Sequence, residues 1–227
     1  MGLNEKFFAS AAAGPPVPTA DLKLYLNASD TNSYSGTGST WYDLTANNND
    51  GTITGATWNS GGYFDFDGSN DSVNLGTDLS FTINCSISLW VQADTLGGNR
   101  GIMSKWSGSP FGWLLNHQDN ENVEFFFYSG SSFKKVDLGD AAIGTWHHVV
   151  ITYDGNDLKG YLNGSLTDTE SNIGDLQPNN VATNVLLCPP ALSGITSQQY
   201  DGRISKVRMY DKALNATEVT ALYNEGE

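Results

Sequence analysis

The sequence predicts an all-β protein in which two antiparallel sheets pack face to face and one short helix closes the chain. Large residues occupy both alternating faces of the run from Trp146 to Tyr153, and a strand that is covered on both faces belongs inside a two-sheet sandwich. Turn-forming residues follow at 154–157, and Asn163-Gly164 ends the next strand, residues 158–162, as in a tight hairpin. Similar strand-length runs, separated by Gly, Asn and Asp clusters, recur through most of the chain.

The elements begin with an N-terminal arm, residues 1–20. Its prolines favour an extended conformation and cannot continue a helix, so we expect the arm to lie outside the core. Phe7 and Phe8 are large apolar residues in a segment that cannot build its own core, and we expect them to anchor the arm in a groove of a partner. Residues 21–227 form the domain, whose first strand opens with alternating leucines from Leu22.

Two cysteines occur within strand-like segments of the domain. Cys85 lies on the apolar face of one strand, and Cys188 follows a short apolar run. Since cysteine is among the most buried residue types, we expect both to be buried free thiols. The alternative, a single disulfide bond, would require an oxidising compartment.

The last segment has the signals of a helix. Asn215 is placed as the N-cap, and Glu218 three residues later completes a capping box. Leu214 and Val219 occupy the two positions of a hydrophobic staple, and Gly226 is placed to stop the helix.

Three segments resemble a known family. Trp146-His-His-Val-x-x-Thr-Tyr-Asp-Gly155, followed by Tyr161-Leu-Asn-Gly164, resembles the central hairpin of laminin-G-like, concanavalin A-like jelly-roll domains. Residues 64–91 are similar to the early strands of that family, and residues 200–214 to its closing strand. The resemblance implies a jelly-roll sandwich from about residue 22 to the end of the chain. It implies less about function, because one fold hosts many unrelated sites.

Composition narrows the classes of function. The chain of 227 residues has a formal net charge of −14, which argues against nucleic acids and anionic membranes as partners. No apolar run approaches the roughly 20 residues of a membrane-spanning helix. The first residues lack the basic start and continuous apolar stretch of a secretory signal. Acidity suits divalent cations, although it also serves solubility alone.

The sequence does not predict an enzyme. Retaining glycoside hydrolases need two carboxylates about 5 Å apart, yet Glu121 and Glu124 are three apart and would lie on opposite faces of a strand. Asp65 and Asp67 alternate with phenylalanines, as in a half-buried strand. A glycoside hydrolase whose acids come from different strands remains the distant alternative.

The adjacent pair His147 and His148 does not suit a metal site. Neighbouring residues of a strand point to opposite faces, so the two imidazoles cannot ligate one ion as a simple pair. We expect one packed histidine and one at the surface.

Calcium is the expected cofactor, in a structural role. Ca²⁺ binds six to eight oxygens from Asp side chains and the carbonyl groups of Gly-rich turns. In the family that the chain resembles, a structural Ca²⁺ often lies near the first and last strands. The matching residue is Asp201, with help from the turn at Asp67, while Asp71 and Asp30 are weaker options. The alternative is that these carboxylates only cap turns.

A carbohydrate site is the second candidate. Lectins stack the apolar faces of sugars on exposed aromatic rings and bind hydroxyl groups with Asn and Asp. Among the tryptophans outside the apolar strands, Trp106 is the predicted stacking residue. The loop of residues 27–49, rich in Asn, Ser, Thr and Gly, supplies hydroxyl partners, with Asn32 among them.

The first residues, the arm and residues 29–51 resemble laminin-G-like modules of tailed-phage virion proteins. This resemblance implies a non-enzymatic virion surface component, either a capsid decoration protein or a tail or fibre protein, and an adhesin that binds host-surface glycans. The arm would bind other virion proteins, and the chain would reach the virion from the host cytoplasm. A free carbohydrate-binding lectin module is the alternative, and the sequence leaves open whether the domain is a monomer or a symmetric oligomer.

Overall fold

The computed structural model describes residues 15–227, apart from 80–83, 96, 107–111, 130–131, 174–182 and 191–197. Within these residues the first of two sheets has eight strands: β1 (Leu22–Asn27), β4 (Thr57–Asn59), β5 (Tyr63–Asp67), β7 (Cys85–Ala93), β12 (His147–Tyr153), β13 (Leu158–Leu162), β14 (Ser165–Glu170) and β17 (Asp201–Tyr210). Their order is β14-β13-β12-β7-β17-β5-β4, and β1 pairs with β17.

The second sheet has nine strands in the same described residues: β2 (Thr40–Trp41), β3 (Gly51–Thr54), β6 (Ser72–Asn74), β8 (Arg100–Trp106), β9 (Gly112–His117), β10 (Asn122–Ser129), β11 (Ser132–Asp140), β15 (Val185–Leu187) and β16 (Gln198–Gln199). Their order is β11-β10-β9-β8-β15-β6-β3-β2, and β16 lies parallel to β8. The prediction of an all-β, two-sheet antiparallel sandwich is confirmed.

One apolar core lies between the sheets, because alternate residues of both sheets point inward. Its members include Phe64, Phe66, Ile87, Leu89, Val149 and Ile151 of the first sheet and Trp113, Leu115, Phe125, Phe127, Val136 and Leu138 of the second. Every residue of β7 and β12 is buried, as expected for strands that are covered on both faces.

The helix α1 (Ala216–Glu225) covers the outer face of the first sheet, and its signals act as predicted. The Asn215 side chain accepts hydrogen bonds from Thr217 N and Glu218 N, while the Glu218 side chain accepts from Asn215 N, which completes the capping box. Apolar residues of the helix pack on the sheet in a group that we call the helix cluster: Val150, Tyr161, Tyr210, Leu214, Val219 and Leu222.

Turns also form where the sequence predicts them. Asn163 and Gly164 both have positive φ, 51° and 79°, which is the combination that a two-residue hairpin of the I′ type requires. Asp154 Oδ1 accepts hydrogen bonds from Asn156 N and Asp157 N and so closes the turn between β12 and β13.

The end of the predicted arm lies against the domain. Val17 packs on the helix cluster, and Tyr210 Oη donates a hydrogen bond of 3.1 Å to Pro18 O. Phe7 and Phe8 lie outside the described residues.

Both cysteines are buried and free, as expected. Burial raises the pKa of the Cys85 and Cys188 thiols, which keeps them in the unreactive protonated form. None of the helices in the described part of the chain has the length and apolar character needed to cross a bilayer.

Candidate functional site

The predicted calcium ligands surround one cavity, which we call the acidic cavity. Strand pairing sets Asp201 of β17 directly opposite Asp67 of β5, and Asp71 follows in the next turn. The cavity has a volume of about 500 Å³ and is lined by Gly55, Thr57, Asp65, Phe66, Asp67, Asp71, Asp94 and Asp201.

Each predicted ligand already uses one carboxylate oxygen locally. Asp71 Oδ2 accepts a hydrogen bond of 3.0 Å from Asp67 N, and Asp67 Oδ1 accepts one of 2.9 Å from Ser69 N. Thr95 Oγ1 donates to Asp201 Oδ2 at 2.5 Å. The three aspartates therefore make hydrogen bonds that stabilise turns and the contact with Thr95, as the alternative of turn capping expects.

The acidic cavity concentrates negative charge beside one ion pair. Arg203 Nη2 lies 3.2 Å from Asp94 Oδ2 at the edge of the cavity. Burial raises the pKa of Asp71. It also raises the pKa of Asp65, an effect that the Arg203 charge opposes and that the neighbouring aspartates reinforce. A bound cation would relieve this repulsion.

The donor atoms suit calcium, but they do not form a coordination site. Carboxylate oxygens are the ligands that Ca²⁺ prefers. Nevertheless, among the residues that the structure describes, no group of three or more Asp, Glu, His or Cys side chains is arranged to hold a metal ion.

A second polar region lies on the outer face of the second sheet, across β9, β10 and β11. The register pairs Asn116 with Glu124, and Lys135 with Phe126, so these side chains share a face that is opposite to the core residues between them. Phe133 lies two residues before Lys135 on the same face. We call this group the sheet-face site: Asn116, Glu124, Phe126, Phe133 and Lys135.

The sheet-face site joins an aromatic surface to charged groups. The ring centroids of Phe126 and Phe133 are 5.0 Å apart, and Phe133 is 47% exposed. Lys135 Nζ lies 2.8 Å from Glu124 Oε1, and the Lys135 side chain is 51% exposed whereas that of Glu124 is 7% exposed. The hydrogen bond to Glu124 raises the pKa of Lys135. Gln118 Nε2 donates to the other Glu124 oxygen.

Asn116 forms the floor of the sheet-face site. It is completely buried, and neither Oδ1 nor Nδ2 of its amide has a hydrogen-bond partner. A buried polar group without a partner costs about 1–3 kcal/mol. Its neighbour across the strands, Gly101, lies under Pro189, since a Cβ built on Gly101 would approach Pro189 Cγ to 2.9 Å. Pro189 therefore covers the β8 side of this region.

The predicted sugar-binding residues lie apart from each other. Trp106, the last residue of β8, is only 7% exposed. Asn32 lies in the loop between β1 and β2, where its backbone and side-chain amides donate to Asp30 Oδ1 at 2.8 and 3.0 Å. In the second sheet, β15, β6 and β3 separate β8 from β2, so the two residues do not form one site.

Glu121 and Glu124, the carboxylates that are three residues apart in the sequence, lie in different elements. Glu121 has φ of 68° in the turn before β10, whereas Glu124 lies within that strand. The acidic cavity instead brings together carboxylates that come from different strands and turns.

Both histidines are buried, so the expectation of one surface histidine is wrong. His147 is 9% exposed at the start of β12, and His148 is completely buried. His148 points to the outer face, where α1 places Tyr223 over it, with ring centroids 6.1 Å apart. Local sequence does not show that a distant helix covers this face.

Comparison with known proteins identifies the fold family. Residues 66–220 match the laminin G family model described as the concanavalin A-like lectin/glucanases superfamily. No curated protein is significantly similar in sequence. The chain is similar in structure to domain 4 of an extracellular arabinanase from Geobacillus stearothermophilus, solved with arabinotriose, at 20% identity and a TM-score of 0.68, covering 89% of this chain and 98% of that one.

Two further solved structures show the same fold. Trypanosoma rangeli sialidase in complex with 2,3-difluoro-KDN is 18% identical with a TM-score of 0.69, covering 94% of this chain and 35% of the sialidase. The binding domain of Paraclostridial Mosquitocidal Protein 1 is 18% identical with a TM-score of 0.70, covering 90% of this chain and 52% of that one. The chain thus spans about a third of the sialidase and about half of the toxin fragment.

Proposed function

The chain belongs to the concanavalin A-like lectin/glucanase superfamily, and from this premise we propose that it is a non-catalytic, glycan-binding surface protein of a phage virion. The observation that carries glycan binding is the sheet-face site. It sets the exposed Phe133 ring, which can stack on a sugar, beside the hydrogen-bonding groups of Lys135 and Glu124. The arabinanase domain solved with arabinotriose and the toxin binding domain support a binding role for this fold.

A glycan array tests this proposal. The wild-type protein is expected to bind a subset of immobilised oligosaccharides, and Phe133→Ala to lose at least about tenfold in affinity through the lost stacking. Tyr42→Ala is the matched control, because Tyr42 is a similarly exposed aromatic residue, at 51%, on the β2 side of the protein. Equal losses in both variants, or no binding by wild type, would contradict the proposal.

Catalysis is the alternative that the acidic cavity favours. Asp65 and Asp71 have raised pKa values there, as a general acid requires, and they come from different elements. We propose a non-catalytic role because the aspartates of the acidic cavity do not line the sheet-face site, where Phe126 and Phe133 form the aromatic surface. Release of reducing ends from any glycan that the protein binds, abolished by Asp65→Asn, would refute that role.

The virion setting rests on the resemblance of the first residues, the arm and residues 29–51 to modules of tailed-phage virion proteins. Residues 1–14 precede a short stretch that packs on the domain through Val17 and Pro18, and we propose that they attach the chain to a neighbouring virion protein. Mass spectrometry of purified particles should detect the chain at a fixed stoichiometry. Detection only as free protein in the lysate would instead favour an independent lectin module.

We also propose that the acidic cavity binds Ca²⁺ in a structural role after its side chains rearrange. A cation that binds only the folded state at ~100 times its Kd would add about 2.7 kcal/mol of stability. Added Ca²⁺ should therefore raise the melting temperature of wild type, and Asp201→Asn should abolish that rise. Asp119→Asn, an exposed aspartate in the turn after β9, is the control. An unchanged wild-type melting temperature would exclude the site.

A further inference from the structure

We infer that the sheet-face site selects uncharged glycans and rejects acidic ones, an inference that rests on the proposed glycan-binding function. The site has one exposed ammonium group, that of Lys135, and this group is already bonded to Glu124. A cation that has a carboxylate partner offers little net attraction to a second anion.

Further carboxylates surround the same ammonium group. Asp137 is the cross-strand partner of Glu124, and Asp168 of β14 accepts a hydrogen bond of 2.9 Å from Asp137 N. Both acidic groups contribute to the raised pKa of Lys135, after the larger effect of Glu124. The neighbouring Lys134 points to the other face of β11 and pairs with Glu170 at 2.7 Å. The exposed ammonium of this site is thus already paired with Glu124, and Asp137 lies beside Glu124 in the ladder, so a sugar carboxylate would meet net repulsion.

The charge of the whole chain acts in the same direction. A formal net charge of −14 gives a negative field that lowers the local concentration of acidic ligands and of acidic polymers above all. This long-range effect is screened by salt, whereas the Glu124 carboxylate, 2.8 Å from Lys135 Nζ, acts over a distance shorter than the Debye length.

The floor of the site favours a hydroxyl group over a carboxylate. The Asn116 amide has both a donor, Nδ2, and an acceptor, Oδ1, without partners. Both atoms are buried, so a sugar hydroxyl reaches them only when the groups that cover Asn116 move aside; it can then donate to Oδ1 and accept from Nδ2, because it has both functions. An ionised carboxylate only accepts, so it would leave Oδ1 unpaired in a buried position.

The test compares matched glycans that differ in charge. Galactose-terminated glycans and the same glycans with terminal sialic acid are immobilised side by side, together with neutral glucans and polyuronates. We expect binding to neutral members, and binding at least about tenfold weaker to each acidic counterpart. Binding confined to acidic glycans would overturn the inference while leaving glycan binding intact. No binding to any glycan would overturn both.

Two variants separate the causes of this selectivity. Glu124→Gln should reduce the ratio of neutral to acidic affinity, whereas Glu227→Gln removes the same formal charge at the exposed C-terminus and should leave the ratio unchanged. Asn116→Leu should lower neutral-glycan affinity about tenfold without lowering the melting temperature, because it replaces an unpartnered buried amide by an apolar group of similar shape. An unchanged ratio in Glu124→Gln, or unchanged affinity in Asn116→Leu, would contradict the inference.

Discussion

His148 shows how one buried side chain makes the stability of this domain depend on pH. Its Nε2 lies 2.8 Å from Ser88 Oγ, and its ring stacks against Trp90 and Tyr223. Burial, assisted by the positive charges of Arg208 and Lys206, lowers the pKa of His148 to about 3.

A depressed histidine pKa fixes the direction of the pH effect. The folded protein holds His148 neutral, whereas the unfolded chain binds a proton below its ordinary pKa of about 6.5. The contribution of neutral His148 to the unfolding free energy is therefore complete above pH ~6.5. It is lost as the pH falls towards about 3, by about 1.4 kcal/mol per pH unit.

Urea unfolding at pH 7 and at pH 4.5 measures this loss. Wild type should lose about 2–3 kcal/mol more than His148→Gln over that interval, because glutamine cannot be protonated. His117 and His147, whose pKa values burial also lowers, remain in both proteins and cancel in the comparison. The same loss in both proteins would show that His148 is not the group that titrates.

At the scale of the elements, the turn between β3 and β4 holds one wall of the acidic cavity. Gly55 has φ of 78°, and a Cβ built on it would overlap Asp71 Oδ1. Gly76 has a nearly identical φ of 76°, with nothing within 4 Å of its Cβ position. The two glycines differ in their surroundings but not in their backbone conformation.

This pair isolates the contact with Asp71. Gly76→Ala should cost roughly 1–2 kcal/mol of unfolding free energy through the positive φ alone. Gly55→Ala should cost roughly 1–3 kcal/mol more, because Asp71 must move and its bond to Asp67 N is strained or lost. Chemical denaturation measures both values, and equal costs would mean that Asp71 adapts without penalty.

The predictable elements are those whose signals are local. The helix α1 was predicted with its cap because Asn215, Glu218 and Gly226 act within one or two turns of each other. The sheet-face site was missed, because the run Phe125-Phe126-Phe127 reads as apolar throughout and does not show which ring faces outward. Only the long-range register with β9 and β11 decides this. The long-range register also sets Asp67 opposite Asp201. Their spacing in the sequence does not show this, and the choice of the two residues rests on the family resemblance.

At the scale of the whole molecule, we expect residues 1–14 to attach the protein to the particle and the domain to fold without them. Deleting residues 1–14 retains Val17 and Pro18 against the helix cluster, so the melting temperature should stay within about 1 °C of wild type. Incorporation into particles should fall to background in a complementation assay. Normal incorporation of the truncated chain would show that the segment does not attach the protein, and a large loss of stability would show that it belongs to the fold.

The two polar regions occupy different parts of the sandwich, and this separates the proposed binding role from the catalytic one. The acidic cavity lies where β5 and β17 of the first sheet meet the turns around Gly55 and Asp71. The sheet-face site lies on β9–β11 of the second sheet. A ligand bound at one region would leave the backbone amides of the other unperturbed.

A nuclear magnetic resonance titration with a neutral glycan that the array identifies tests the central claim most directly. Amide shifts of isotope-labelled protein should change along β9–β11, with Phe126, Phe133 and Lys135 among the largest, and should saturate with a single Kd. Changes centred instead on Asp67 and Asp201, or no changes at saturating glycan, would contradict glycan binding at the sheet-face site.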